Sequence, residues 1–263
     1  MKDKEFIFLS GLHRSGTSLL HEIIREHPDI SGFSGTAAAE DEGQHLQSVY
    51  KPGKAFGGPG KFAFDKNAYM DESHPLATHE SAVKIFKQWS DCFDLSCKYL
   101  IEKSPPNIIR TRFLQKLYPH CKFIVILRHP LAVSYATQKW SNTSINSLLE
   151  HSILAYEIFL KDMKHLSSVY VLRYEEFVLD PKKTIENIFS YLEINPVNVN
   201  HAVHSNVNDR YFSMWEKDRK KILNRVFDSA AKKFEHRSNK FGYSLNNCSE
   251  LLPLPWSGMH NQR

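Results

Sequence analysis

Apolar residues fall along this chain in two alternating patterns. Short runs read as buried strands of a parallel sheet: Phe6-Ile7-Phe8-Leu9, Lys98-Tyr99-Leu100-Ile101-Glu102, Lys122-Phe123-Ile124-Val125-Ile126-Leu127 and Val169-Tyr170-Val171-Leu172-Arg173-Tyr174. Between them the apolar positions recur at helical spacing. Leu19, Leu20, Ile23 and Ile24 form one such face, Val83, Phe86 and Trp89 a second within 78–93, and Ile185, Ile188, Phe189 and Leu192 a third. Residues 107–118, 145–166 and 218–235 also read as helices, the last of them basic. Asp180-Pro181 supplies a helix N-cap followed by proline at the first helical position. His27-Pro28 closes the first helix, because proline disfavours helical geometry in the residue before it. Strands separated by helices predict an α/β architecture with a mostly parallel sheet flanked by helices.

Two stretches break the alternation. Residues 31–39 are small and loop-like, and the acidic cluster Glu40-Asp41-Glu42 follows them, where carboxylates suit a helix start. Residues 51–64, Lys-Pro-Gly-Lys-Ala-Phe-Gly-Gly-Pro-Gly-Lys-Phe-Ala-Phe, have little means of forming regular structure. They read as either a wall of a binding site or a surface insertion. His74 and His79 beyond them read as ordinary surface or core histidines.

With 263 residues and 41% apolar side chains, one large α/β domain over 1–245 is expected, followed by a tail at 246–263. The net charge of +5 suits a small polyanionic ligand and is too weak to argue for nucleic acid. Cys92, Cys97, Cys121 and Cys248 lack zinc-site spacing and read as buried free thiols. No apolar run approaches the roughly 18 residues of a membrane span. The first strand begins too near Met1 for a signal peptide, so a cytoplasmic chain is expected.

The chemistry concentrates in Gly11-Leu12-His13-Arg14-Ser15-Gly16-Thr17-Ser18, between the first strand and the first helix. Glycines let backbone N–H groups turn towards an anion, and the helix N-terminus adds partial positive charge. A Walker A loop would place Lys after its second glycine, but Thr17 stands there and the basic residue is Arg14, inside the loop. A magnesium-dependent kinase or NTPase would therefore lack its phosphate lysine.

The stretch from Phe8 to Leu20 resembles the donor loop of sulfotransferases that use 3′-phosphoadenosine 5′-phosphosulfate (PAPS). Its Arg-Ser-Gly-Thr form and the following His27-Pro28-Asp29-Ile30 are similar to the branch containing tyrosylprotein sulfotransferases and many bacterial enzymes. Two further segments share the resemblance: Arg128-His129-Pro130-Leu131-Ala132-Val133-Ser134-Tyr135, and Tyr174-Glu175-Glu176-Phe177 with Asp180-Pro181. Lys103-Ser104-Pro105 looks like the family's Lys-x-Pro motif, and Phe241-Gly242-Tyr243 like its closing segment.

The resemblance implies a P-loop NTPase-like three-layer fold and sulfuryl transfer from PAPS to an acceptor hydroxyl, without a metal. It implies that His13, Arg14, Ser15, Gly16, Thr17 and Ser18 hold the 5′-phosphosulfate, and that Arg14 and Lys103 stabilise charge on the transferring group. Arg128 and Ser134 would bind the 3′-phosphate, and Tyr174 would line the donor site or belong to the core. Either Glu40 or Glu42 would match the family's catalytic base. Residues 31–75 and 195–217 would form the acceptor side, for a small-molecule, glycan or lipid acceptor in preference to a protein tyrosine. The alternatives are a magnesium-dependent P-loop kinase or NTPase, and a non-catalytic nucleotide-binding protein on the same fold.

Overall fold

The computed structural model describes residues 3–198, 201–221, 225–254 and 256. Strands β1 (Glu5–Gly11), β2 (Ile30–Gly32), β3 (Tyr99–Lys103), β4 (Lys122–Leu127) and β5 (Val169–Arg173) form one sheet in the order β2-β3-β1-β4-β5. Every neighbouring pair is parallel; Phe8, for example, lies opposite Glu102 on one side and Phe123 on the other. Around the sheet run α1 (Thr17–Ile24), α2 (His79–Trp89), α3 (Thr111–Leu117), α4 (Pro130–Ser141), α5 (Ile145–Met163), α6 (Tyr174–Leu179), α7 (Pro181–Leu192), α8 (Asp209–Arg219) and α9 (Arg225–Asn239).

Successive strand residues point to opposite faces, so each apolar run feeds two cores. Phe6, Phe8, Phe123, Val125 and Leu127 pack with α2, α3, α4 and α5. Ile7, Leu9, Ile124 and Ile126 pack with Leu20, Ile23 and Ile24 of α1 and with Ile185, Ile188 and Phe189 of α7. Each such side chain contributes about 1.5–3 kcal/mol on burial, which makes the three layers one cooperative unit. Asp180 caps α7 as expected, its Oδ1 accepting the Lys183 N–H at 3.1 Å.

The structure corrects several expectations. Strand β2 falls inside the stretch read as loop; Ser31 and Gly32 have poor strand propensity, and pairing with Leu100 and Ile101 imposes the extended conformation. α1 ends at Ile24, before the His27-Pro28 stop. The buried face of α2 is Ala82, Ile85 and Trp89, while Val83 is exposed. No α-helix follows the acidic cluster; 3-10 turns occupy Ala39–Asp41 and Gly43–His45. Arg110 precedes α3 rather than lying within it, and the basic stretch 218–235 is divided between α8 and α9. Of the tail, residues 246–254 and 256 are described, packing back through a bridge between Tyr243 and Leu251; 255 and 257–263 lie outside the described residues. The four cysteines are free, but only Cys121 is buried and the other three are partly exposed; among the described residues no helix is long and apolar enough to cross a membrane.

Strand order now fixes where a ligand can sit. From β1 the chain passes to one side for β2 and β3, then to the other for β4 and β5. Connections that diverge in this way leave a crevice outside the carboxyl ends of the strands. Gly11, Lys103, Leu127 and Arg173 end their strands at that edge.

Candidate active site

The β1–α1 loop lies at this edge. Ser15 donates its N–H and its hydroxyl to the Leu12 carbonyl, at 3.0 and 2.6 Å, which closes the turn. Arg14 takes φ 67° and Gly16 φ 98°. Gly16 has two reasons to be glycine: left-handed backbone, and a Tyr174 ring that an added Cβ would approach to 2.7 Å. The loop delivers the chain into α1, whose first amides have no intrahelical acceptor and face the crevice with the helix dipole behind them.

Lys103, at the end of β3, is 1% exposed. Its Nζ donates to the Glu40 carbonyl at 2.6 Å and to Ser18 Oγ at 3.4 Å, and lies 3.7 Å from Glu42 Oε1. Arg128 follows β4. Its guanidinium stacks over Tyr174 at 4.0 Å. It also donates to the Arg14 carbonyl at 2.6 Å and, through Nε and Nη2, to Asn208 Oδ1 at 2.9 and 2.6 Å. Asn208 is held in turn by Glu175, which accepts from Asn208 Nδ2, the His129 N–H and the Tyr243 hydroxyl. The guanidinium is thus oriented before any ligand arrives.

The opposite wall is built from turns. Asp41 accepts from the Gly35 and Thr36 N–H groups and from the Thr36 hydroxyl, folding 35–41 back on itself. Glu40 and Asp41 both adopt positive φ, 56° and 50°. Two successive non-glycine residues there store strain, which the Asp41 hydrogen bonds hold in place. The outcome separates the two glutamates. Glu40 exposes its side chain and offers Lys103 only its carbonyl, whereas Glu42 is 6% exposed. Burial raises the Glu42 carboxyl above the usual carboxylate range, opposed by Lys103 and a hydrogen bond from Gln44. Beneath it the fully buried Glu102 is pushed up to about 7 by burial, against hydrogen bonds from Ser104 and Asn107. His13 is lowered to about 3 by burial and by the nearby Lys103 and His45 charges, so it stays neutral.

These walls enclose a cleft of about 990 Å³, lined by Arg14, Gly16, Thr17, Ser18, Glu40, Glu42, Arg128 and Tyr174 among others. Of the residues singled out in the sequence, Ser134 does not join them. It is fully buried in α4, its hydroxyl donating to the Pro130 carbonyl at 2.7 Å, and it borders a separate small void. Ser15 is also buried and shapes the loop rather than facing the cleft. The stretch 51–64 is a wall: Gly53, Lys54, Gly57, Gly58 and Pro59 line the cleft while Phe62 is fully buried. His74 and His79 lie off it.

Sequence reasoning missed Asn208, which lies in the stretch 195–217 expected on the acceptor side but holds Arg128 instead, and also Glu175, Gln44, His45 and Trp140. Glu175 sat inside a quoted motif with no role given. Trp140, half-exposed on the rim with Arg14 stacked 4.7 Å above its ring, had no local signal. Among the described residues no group of His, Cys, Asp or Glu converges to hold a metal ion.

A family model described as Sulfotransferase family matches residues 6–198. The chain belongs to the sulfotransferase family. It is 24% identical over 201 residues to protein-tyrosine sulfotransferase 1 of Danio rerio, covering 73% of this chain and 54% of that protein. Protein-tyrosine sulfotransferase 2 of Gallus gallus is 22% identical over 203 residues, with 74% and 52% covered. The chain thus spans about half the length of the curated relatives it matches. The sulfotransferase domain of the Synechococcus PCC 7002 olefin synthase shares the fold, with TM-score 0.53, 17% identity and 92% and 95% of the two chains covered. The sulfotransferase domain from the curacin biosynthetic pathway does so with TM-score 0.51, 16% identity and 95% and 99% covered.

Proposed function

We propose that the protein transfers a sulfuryl group from PAPS to an acceptor hydroxyl and releases 3′-phosphoadenosine 5′-phosphate. The observation that carries this reading is the placement of Lys103 between Ser18 of the anion loop and the buried Glu42 carboxylate. One cation then faces both the group being transferred and the group that takes the acceptor proton. The α1 amides and Ser18 bind the 5′-phosphosulfate. Arg14 and Lys103 stabilise charge on the transferring group and the leaving oxygen. Arg128, stacked on Tyr174 and oriented by Asn208, suits a phosphate dianion and reads the 3′-phosphate. Glu42, rather than Glu40, acts as the base, because burial raises its proton affinity and Lys103 holds it near the reacting centre.

Residues 37–39 and 57–59 present methyl and backbone groups to the proposed acceptor side, which fits a compact small-molecule, glycan or lipid hydroxyl. Tyrosine peptides form the contrasting arm of an acceptor panel, since the named relatives are protein-tyrosine sulfotransferases.

Calorimetric titration with 3′-phosphoadenosine 5′-phosphate, beside 5′-AMP and ATP with magnesium, tests the donor. Preference for the bisphosphate, reduced roughly 10- to 100-fold in Arg128→Ala, is expected. Preference for magnesium-ATP would overturn the reading.

A further inference from the structure

Gln44 is 2% exposed, yet each of its polar groups has a partner. Its N–H donates to Ser104 Oγ at 3.1 Å, and its carbonyl accepts from Gln47 Nε2 at 3.1 Å. In the side chain, Oε1 accepts the Gly53 N–H at 2.7 Å and Nε2 donates to Glu42 Oε2 at 2.5 Å. A carboxamide can be turned end for end, but this one is fixed by its neighbours. The Gly53 N–H can only donate, so the end facing it is oxygen. The NH2 end therefore faces Glu42, and the oxygen it meets must accept.

The two oxygens of Glu42 are thereby made different. Oε2 is held as an acceptor by Gln44, with His45 Nε2 3.8 Å away. Oε1 faces Lys103 Nζ at 3.7 Å. We propose that Gln44 is a positioning residue that anchors Glu42 through Oε2, leaves Oε1 as the atom that takes the acceptor proton, and ties the base to the acceptor wall through Gly53. This rests on the reading of Glu42 as the base. In the step itself the acceptor O–H bond breaks and its proton binds Oε1. The acceptor oxygen bonds to sulfur as the bond from sulfur to the donor's bridging oxygen breaks, and the leaving phosphate keeps that electron pair.

The frame around Gln44 is stiff enough to make the anchor effective. The Gly43 carbonyl accepts from Trp89 Nε1 at 3.0 Å, and a Cβ on Gly43 would lie 2.5 Å from Glu102 Cγ. A Cβ on Gly53 would lie 2.6 Å from Pro106 Cγ. Movement of the wall at Gly53 is therefore transmitted through one amide to the carboxylate.

The test reads Glu42 directly, with no acceptor needed. The full chain is labelled with ¹³C at the glutamate carboxyls and titrated by NMR without ligand, the Glu42 signal being assigned by its loss in Glu42→Gln. Charged neighbours of Glu42 are Lys103 and Glu102 from β3 and Glu40 and His45 from its own segment, and all stay in place in the variants. Gln44→Leu removes the hydrogen bond that favours the ionised form, so the Glu42 midpoint should rise by about one pH unit. Affinity for 3′-phosphoadenosine 5′-phosphate should stay within about twofold, because the Gln44 hydrogen bonds go to Glu42, Gln47, Gly53 and Ser104 and not to the donor loop. Gln47→Ala removes the hydrogen bond to the Gln44 carbonyl while leaving the Gln44 side chain and every charged neighbour in place, and should lower thermal stability without moving the midpoint. Should Gln44→Leu fail to fold, Gln44→Asn, too short to span both partners, should move the midpoint the same way. An unmoved midpoint in the Gln44 variant, or an equal shift in Gln47→Ala, would overturn the proposal. Turnover that survives Glu42→Gln would instead overturn the base assignment, whatever the midpoint does.

Discussion

At the proposed donor end of the cleft, the residues assigned to the donor stand at or just beyond the carboxyl ends of β1, β3, β4 and β5. At the acceptor end they stand on turns between residues 37 and 59, outside any described strand or α-helix. The donor residues inherit their positions from the sheet: once β1, β3 and β4 are in register, Arg14, Lys103 and Arg128 share one edge. The acceptor residues are placed by side chains bonding to backbone, Asp41 on 35–36 and Gln44 on Gly53. Regular structure thus positions the charges assigned to the proposed donor. Irregular structure supplies a surface that can change without disturbing the sheet.

Lys103 touches both ends and gives the sharpest test of that division. Lys103→Ala should lower sulfuryl transfer about 10²- to 10³-fold, the effect of losing one preorganised charge donor, while binding of 3′-phosphoadenosine 5′-phosphate changes only a few-fold. Single-turnover rates beside calorimetry separate the two. Equal losses in both would make Lys103 a donor-binding residue alone.

The same division explains what was legible in the residues. β4 matched its apolar run residue for residue, and Asp180-Pro181 marked the start of α7, because burial on both faces and capping are written locally. β2 was not legible: its extended backbone comes from β3, across 60 and more residues of chain. Ser134 reads identically in sequence whether its hydroxyl faces a ligand or the Pro130 carbonyl, and only the start of α4 decides. The choice between Glu40 and Glu42 depends on two left-handed residues held by Asp41, which no periodicity announces. Asn208 and Glu175 were missed because they act on Arg128 from another part of the chain.

Glu102 lies under the acceptor turn yet belongs to a sheet strand, so it should tie acceptor geometry to pH. Its folded value of about 7 stands above an unfolded value near 4.3, so the fold favours the protonated form. That stabilisation is fully present below about pH 4.3 and is lost as pH rises through 7, a change on the order of 3 kcal/mol. Glu102→Gln cannot ionise. The stability of the variant relative to wild type, followed by urea unfolding, should therefore rise between about pH 4.3 and 7. A difference that stays flat across this window would show that folding leaves the Glu102 carboxyl at its unfolded value.

Gly60 tests the acceptor end by itself. It has φ 76°, and a Cβ there would lie 2.2 Å from Leu148 of α5 and 3.1 Å from Ser141 Oγ of α4. Gly60→Ala should cost about 1–3 kcal/mol through overpacking and left-handed strain, seen as a lowered urea midpoint. Affinity for 3′-phosphoadenosine 5′-phosphate should remain, because the sheet edge is untouched. Loss of nucleotide binding would show that the two ends are not separable.

The smallest effect expected is at Trp140, where the ends meet on the rim. Arg14 lies face-on to its ring at 4.7 Å and Lys139 at 4.8 Å. A guanidinium stacked on an aromatic face keeps its edge N–H groups free, so Arg14 can bind an anion without leaving the ring. Trp140→Ala then removes about 0.5–1 kcal/mol of cation–π support and should weaken PAPS binding about two- to fivefold, with little change in the rate of the bound complex. Competition calorimetry gives the magnitude, and the sign carries the mechanism. Tighter binding in the variant would mean that Arg14 must abandon Trp140 to reach the donor, which would make the stacked position a resting state that binding has to disrupt.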